Sequence, residues 1–554
     1  MKSTVRRRAL GTSVALMGLV LGVRLGGNLA TAAEPVPPRQ AAAEVDRLLN
    51  EEVFRVNPAT QLAPRSNDEI FLRRIYLDLV GEHPSPAEIS AFALDPSTDK
   101  RAALVDRLID DPRYGRNWAR YWRDVIMYRR TAEQALASAA AAEKYLTEQF
   151  NRNVGWDEIA AAFVTASGSV FENGQTSLYM AQGADPNDVA SEVSRIFLGI
   201  QIQCAQCHDH PTDRWKREQF HELAAFFPRV GLRRAGFAAQ MPSITLEGND
   251  SAPLVRRGMG TFGTGSQEHF MPDLKDPSSP GKQMTPVFFA NGKQLSSGST
   301  DADRRSSLAE WLTAVDNPWF AKAFVNRVWS ELVGEGFYEP IDDLGPDRTP
   351  SAPQTLDYLA AQFAASGYDV KRLFRTILRT AAYGRESRSR RAPDQPPFTA
   401  NVAQRLRADQ LYDVFASLMG YDPDAGMPQT PNPLQRFNNG ARGQFNLLFG
   451  YDPSARREDL TTTIPQALTL MNSQLINRVV SARTPSTDLS KLIQAGKDDE
   501  SIVLELYLLC LAREPNEAEY AACLEHLKST PDRAAGCEDL LWSLLNSKEF
   551  LYRR

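Results

Sequence analysis

Apolar residues recur at intervals of three and four along most of this chain, and one long stretch where that period vanishes divides it in two. Val45, Leu48, Leu49 and Val53 open the pattern. Ile70, Leu72, Ile75, Tyr76 and Leu79 continue it behind a capping Asn67, and Gly81 and Pro84 close that helix. Ser85-Pro86-Ala87-Glu88 is a capping box with proline at the first helical position. Leu104, Leu108 and Ile109 mark one further helix; Trp118, Tyr121, Trp122, Val125 and Ile126 mark another. Residues 134–142 are alanine-rich, with high helical propensity and little to bury. Helices are expected over 156–163, over 189–201 running directly into a cysteine motif, and over 218–227, stopped by Pro228.

From 230 to about 300 glycine, proline and serine dominate, with short alternating runs at 243–246 and 286–289 that suggest strands. Helical spacing returns at Arg304 with Leu308, Trp311, Leu312 and Val315. It persists through 319–332, 353–365, 370–381, 403–419, 465–480 and 502–512, while 385–397 and 422–460 read as loops. The expected fold is mainly α. Two separate helical domains, 41–230 and 304–554, are joined by an irregular segment, 231–303, that carries a few short strands.

Residues 1–33 stand apart. Lys2, Arg6, Arg7 and Arg8 precede an apolar run from 9 to 23, and Ala30-Thr31-Ala32 offers a small-residue cleavage site, the order of a secretory signal peptide. The mature chain is then expected in the periplasm or cell envelope, with no membrane-spanning segment of its own. Removing that leader takes away five of the 63 basic residues and none of the 68 acidic ones, leaving a formal charge of −10. Such a balance argues against nucleic acid as a partner. Five cysteines are too few for a disulfide scaffold at this length, although two of Cys510, Cys523 and Cys537 could pair in an oxidising compartment.

The remaining two cysteines form Cys204-Ala205-Gln206-Cys207-His208. Two thiols at this spacing can make thioethers with the vinyl groups of haem, and the adjoining imidazole can then ligate the iron. Ile196, Phe197, Ile200 and Ile202 would wall one face of such a haem, and Trp215, Phe226 or Phe227 the other. Met241, Met259, Met271, Met284 and His269 are candidates for the sixth ligand, with Met271-Pro272 the most suggestive. The same stretch continues Asp209-His210-Pro211-Thr212-Asp213, so zinc or another divalent ion on Cys204, Cys207, His208, His210, Asp209 and Asp213, with His221 nearby, is an alternative. A redox-active dithiol is a third.

Elsewhere the signals are weaker. Asn326-Arg327-Val328-Trp329 and Asp342-Asp343-Leu344-Gly345 read as a helix-to-loop junction held by carboxylate–arginine bonds, and Arg405 and Asp409 as a surface pair on one helix. Neither a nucleotide-binding glycine loop nor a nucleophile elbow is present, and H-E-x-x-H does not occur. One internal echo aligns 75–88 with 506–519 without gaps, consistent either with duplication or with two ordinary capped helix pairs.

The run from Arg195 through Cys204, Cys207 and His208 to Pro211 resembles the planctomycete-specific cytochrome-like domain, the second of that naming series. Asp106-Arg107-Leu108, Tyr114-Gly115 and Trp118-Ala119-Arg120-Tyr121-Trp122 look like its upstream half. Leu308-Ala309-Glu310-Trp311-Leu312, Asn317-Pro318-Trp319-Phe320, Val325-Asn326-Arg327-Val328-Trp329 and Asp342-Asp343-Leu344-Gly345 resemble its usual C-terminal companion, a planctomycete-specific domain of unknown function. The resemblance implies an exported protein with haem c on Cys204, Cys207 and His208, working in electron transfer or a redox assembly with an envelope partner. Asp209, His210 and Asp213 also fit the family pattern, which keeps open a second function, a metal-stabilised binding or scaffold protein of the cell envelope linked to polysaccharide handling.

Overall fold

The side chain of Phe324 shows how the two helical regions relate. It stacks on Trp122 at 5.4 Å and 2°, lies 4.5 Å from Trp156 and stacks on Phe363 at 5.0 Å. Large aromatic rings from before and after the irregular segment thus share one core. In this computed structural model, which describes residues 35–235, 243–250, 261–262, 268–276, 278–388, 395–421, 441–455 and 460–554, the stretch from Glu34 to Arg554 is a single compact unit. The two helical stretches, 41–230 and 304–554, thus contribute to one core. Periodicity reports which face of a helix is apolar, and is silent on which other helix covers it. The leader at 1–33, Met241, Met259 and most of the 422–460 loop lie outside the described residues.

The architecture is mainly helical, as expected. Helix Pro38–Val56 starts on proline and packs against helices Pro353–Ala365 and Val370–Ile377. Its Glu52 accepts the backbone N–H groups of Gln354 and Thr355 at 2.7 and 3.1 Å, so a carboxylate from one end of the chain caps a helix 300 residues away. Asn67 caps Asp68–Leu79, and Ser85 with Glu88 closes the capping box of Pro86–Leu94. The alanine-rich stretch is a 3₁₀ turn, Glu133–Ser138, leading into helix Ala139–Asn151. It buries more than its sequence suggests. Ala139 and Ala142 are buried where this helix packs on helix Pro112–Met127, because small side chains let two backbones approach, and Ala135 is buried in the turn, which packs on Ser177–Ala181.

The irregular segment carries most of the described strands. Val230–Ala235 and Ser243–Gly248 form a hairpin joined by Gly168–Ser169 on one edge and Thr261–Phe262 on the other, all antiparallel. Ile244 and Leu246 turn inward with period two. Two smaller hairpins follow, Phe270–Met271 with Lys282–Gln283 and Val287–Phe288 with Lys293–Gln294.

A second core gathers helices Ala408–Leu418, Asp499–Leu511 and Arg533–Leu545 around Leu411, Phe415, Leu506 and Leu541. The helix expected over 465–480 breaks at Ser473, which is extended (ψ 155°) and caps the following turn through its hydroxyl. The proposed surface pair of Arg405 and Asp409 is also corrected. Arg405 sits in strand Gln404–Arg405 and donates to Gln466, while Asp409 is buried and takes Arg407 Nε at 3.1 Å. The helix begins only at Ala408, so the four-residue spacing does not apply.

All five cysteines are free. Burial pushes the Cys510 thiol up to about 12 and raises those of Cys523 and Cys537 as well, leaving them inert. The two echoing stretches share helix order, each a capped helix followed by a capping-box helix; the second pair is Asp499–Leu511 and Glu517–Ser529.

Candidate functional site

The helix leading to the cysteines is shorter than its apolar residues suggest. Pro186–Val193, capped by Asp185, passes into a π-helical turn, Ser194–Leu198, and stops at Gly199 with φ +66°. Ser194 holds the chain at this break, accepting the Ile200 N–H at 3.2 Å and donating its hydroxyl to the Ile200 carbonyl at 2.9 Å. Ile200 then makes a β-bridge with Asp343, and Leu344 N–H donates to the Gly199 carbonyl at 2.9 Å. A Cβ at position 199 would lie 2.9 Å from Leu344 Cδ1 and 3.2 Å from Ala323 Cβ. Gly199→Ala is therefore expected to cost about 1–3 kcal/mol by combining left-handed strain with a core clash. Chemical denaturation checks this; a midpoint equal to the wild type would refute it.

Beneath the bridge lies a buried ionic cluster. Arg195 reaches Glu192 (2.9 and 2.5 Å), Asp342 (3.2 Å), Ser454 (2.9 Å) and the Val125 carbonyl (2.6 Å), and Arg327 pairs with the other oxygen of Asp342. Burial works to raise the Asp342 carboxyl, yet Arg327 and Arg195 outweigh it and hold the group below the ordinary carboxylate range. The Asn326–Arg327 and Asp342 motifs thus form the expected carboxylate–arginine junction, wholly inside the protein. Asn326 completes it by donating to the Ile341 carbonyl at 3.1 Å and accepting the Tyr338 N–H at 3.0 Å.

The cysteine motif rides on this base as a 3₁₀ turn, Ile202–Gln206. Cys204, Cys207 and His208 are all exposed. His208 Nδ1 lies 2.7 Å from the Asp209 carbonyl. A carbonyl only accepts, so Nδ1 carries the proton and Nε2 keeps its lone pair, the tautomer that ligates metals.

The walls expected for a haem are elsewhere. Ile196, Phe197, Ile200 and Ile202 are buried in the core, Phe197 lies 5.9 Å from Trp156, and Trp215, Phe226 and Phe227 are buried too. No apolar face of the preceding helix remains for a porphyrin to lie against, because the same residues already seal the protein interior.

Nor do the alternative metal donors converge. Among the described residues no three His, Cys, Asp or Glu side chains are grouped to hold an ion. Asp209 accepts the Arg217 N–H and Lys216 Nζ, both at 3.0 Å, and these contacts hold its carboxyl below the ordinary range. Asp213 accepts the Arg214 N–H at 2.7 Å. His210 turns into its own loop, its N–H donating to the Trp215 carbonyl at 2.8 Å and its Nδ1 accepting from Thr212.

Of the sixth-ligand candidates, Met284 and His269 are buried, and His269 is bonded to His221 at 2.8 Å. Met271 is half-buried on a hairpin that touches the motif through Arg217, which donates to the carbonyls of Gln206 (3.3 Å) and Pro272 (2.7 Å). Sequence reasoning passed over Arg195 and Arg217. Arginines in amphipathic helices are ordinarily surface residues, and only the proximity of Asp342 and the motif carbonyl distinguishes these two.

Residues 44–231 match the PSCyt2 domain, described as a protein of unknown function (DUF1549), and residues 304–444 match PSD1, described likewise (DUF1553). The chain thus carries two planctomycete-specific domains, PSCyt2 and PSD1. The cysteine motif lies in the PSCyt2 stretch, and Arg327, Asp342 and Asp343 lie in the PSD1 stretch. The bridge at Ile200 and the cluster at Asp342 therefore tie the two family domains together directly under the motif. No curated protein and no solved structure matches the chain.

Proposed function

We propose that this PSCyt2–PSD1 protein is an exported haem c protein that exchanges single electrons with a protein partner in the periplasm or cell envelope. The observation that carries the reading is the His208 tautomer: Nδ1 is committed to a backbone carbonyl and Nε2 is left to bind iron, beside two free, exposed thiols at the spacing of haem attachment. Cys204 and Cys207 would hold the haem and His208 its iron, with Met271 a further candidate ligand. The bound group supplies one-electron exchange at iron. The chain's part is to present the thiols outward on a turn anchored in a rigid core. The leader at 1–33 supplies the compartment.

Because the flanking apolar residues are already buried, a haem on this turn has a solvent-exposed edge. That favours transfer between proteins over chemistry in a closed pocket, and lowers the potential by stabilising the ferric charge. The divalent-metal scaffold reading lacks such support, since Asp209, Asp213 and His210 are engaged with separate partners and no three donors are grouped among the described residues.

Intact mass and visible spectrum of the full chain, made with haem c maturation machinery, test the proposal. One haem mass and a Soret band are expected, both absent in Cys204→Ser/Cys207→Ser. His208→Ala keeps the mass and loses the low-spin spectrum, and His210→Ala changes neither. Wild-type chain carrying no haem mass would overturn the reading.

A further inference from the structure

Between the two outward cysteines, the Ala205 side chain and the Gln206 carbonyl point inward. Ala205 is completely buried, and the Gln206 carbonyl lies 3.0 Å from His221 Nε2. His221 Nδ1 in turn lies 2.8 Å from His269 Nε2, the two rings stacked at 5.1 Å and 24°. Chemistry fixes the protons along this line. The carbonyl accepts, so His221 Nε2 donates; the Nδ1 of that neutral ring is then an acceptor, so His269 Nε2 donates to it. The result is a one-way relay from His269 through His221 to the peptide between Cys204 and Cys207. It is buried, with both imidazoles 7% exposed or less. Arg217 donates to the same carbonyl from the same helix, Arg217–Ala224, as His221, while His269 comes from the loop before the Phe270–Met271 strand.

We infer that His221 and His269 are positioning residues for the thiol pair: by pinning the Gln206 carbonyl inward they force Cys204 and Cys207 to the outside together. The inference deepens the haem reading and rests on it for the purpose of the pinning; the pinning itself is measurable without haem. A 3₁₀ turn has poor internal hydrogen bonds and does not hold side-chain directions unaided. Here two anchors, a buried methyl and a bonded carbonyl, sit between the two thiols and supply what the turn lacks. A pair that only filled the core would leave thiol geometry indifferent to whether residue 221 donates a hydrogen bond.

The test compares the full, haem-free wild-type chain with His221→Leu, which removes the donor, and His221→Gln, whose amide can still donate. Phenylarsine oxide, which binds tightly only when two thiols are held together, is the probe, and circular dichroism verifies folding. One-to-one capture is expected for the wild type. His221→Leu should weaken it about tenfold, the equilibrium equivalent of one lost buried hydrogen bond, and His221→Gln should stay within about threefold of wild type. Haem attachment in the maturation strain should follow the same order.

Folded His221→Leu with unchanged capture would overturn the inference. Should the leucine variant not fold, the glutamine variant decides, since a tenfold loss in folded His221→Gln would overturn it equally. If the arsenical contrast appears and no variant carries haem, the pinning stands and the haem reading falls.

Discussion

Replacing Asp342 with alanine is expected to destabilise the protein by about 3–5 kcal/mol, because it leaves two arginines buried without their shared carboxylate. Asp342 is 1% exposed, Arg195 and Arg327 are each 2% exposed, and Glu192 is the carboxylate that stays bonded to Arg195, beside the neutral Ser454 and Val125 carbonyl. Asp342→Asn keeps hydrogen-bond acceptance and shape while losing the charge, so it should fall between wild type and alanine. Guanidinium denaturation gives the values. A cost under 1 kcal/mol for the alanine variant would mean that water or backbone movement solvates both cations, and that the cluster is not the tie between the family domains described above. The variant should also loosen the cysteine motif, since Asp343 and Leu344, the next residues along, bond to Ile200 and Gly199.

Acid should weaken the fold well above the range where carboxylates titrate. Burial pushes the His221 imidazole down to about 4, and burial together with the neighbouring His221 does the same to His269. Both shifts are downward from an unfolded value near 6.5. Between about pH 6.5 and 4 the unfolded chain therefore binds more protons than the folded one, so stability falls as pH falls through that window. The full contribution is present above pH 6.5 and is gone below about 4. A shift of this size is worth about 3 kcal/mol per imidazole, and the two do not simply add because they share a hydrogen bond. Denaturation midpoints at pH 7, 5.5 and 4.5 measure the slope, and His269→Phe should flatten it. A wild-type midpoint that is level from pH 7 to 4.5 would show that the pair is hydrated or already charged in the native state.

Local grammar was legible from the residues alone. Asn67, the Ser85 capping box and the change of texture after Pro228 each depend on neighbours within a few positions, and each appears in the structure where the sequence places it. The motif was legible for the same reason, as five contiguous residues with a defined chemistry. What stayed hidden depends on distant partners. No pattern in 320–333 announces that Phe324 will stack on Trp122, and no spacing links His221 to His269, 48 residues on. One compositional clue was available: the chain has six histidines, and four of them (His208, His210, His221 and His269) gather at this loop. The haem walls were misassigned because an apolar face signals burial without saying whether a cofactor or the protein itself provides it.

Strand Tyr552–Arg553 pairs with Gln404–Arg405, and the Arg553 guanidinium is buried on Asp78, 475 positions earlier, at 2.6 and 2.7 Å. During synthesis Asp78 emerges long before its counter-charge exists. Until residue 553 is made, this carboxylate lacks its bidentate partner and is left with the Tyr383 hydroxyl and the neighbouring Arg74 charge. Contacts of such separation delay closure of the native state. A nascent chain so built can seal the carboxylate of Asp78 only after residue 553 is available.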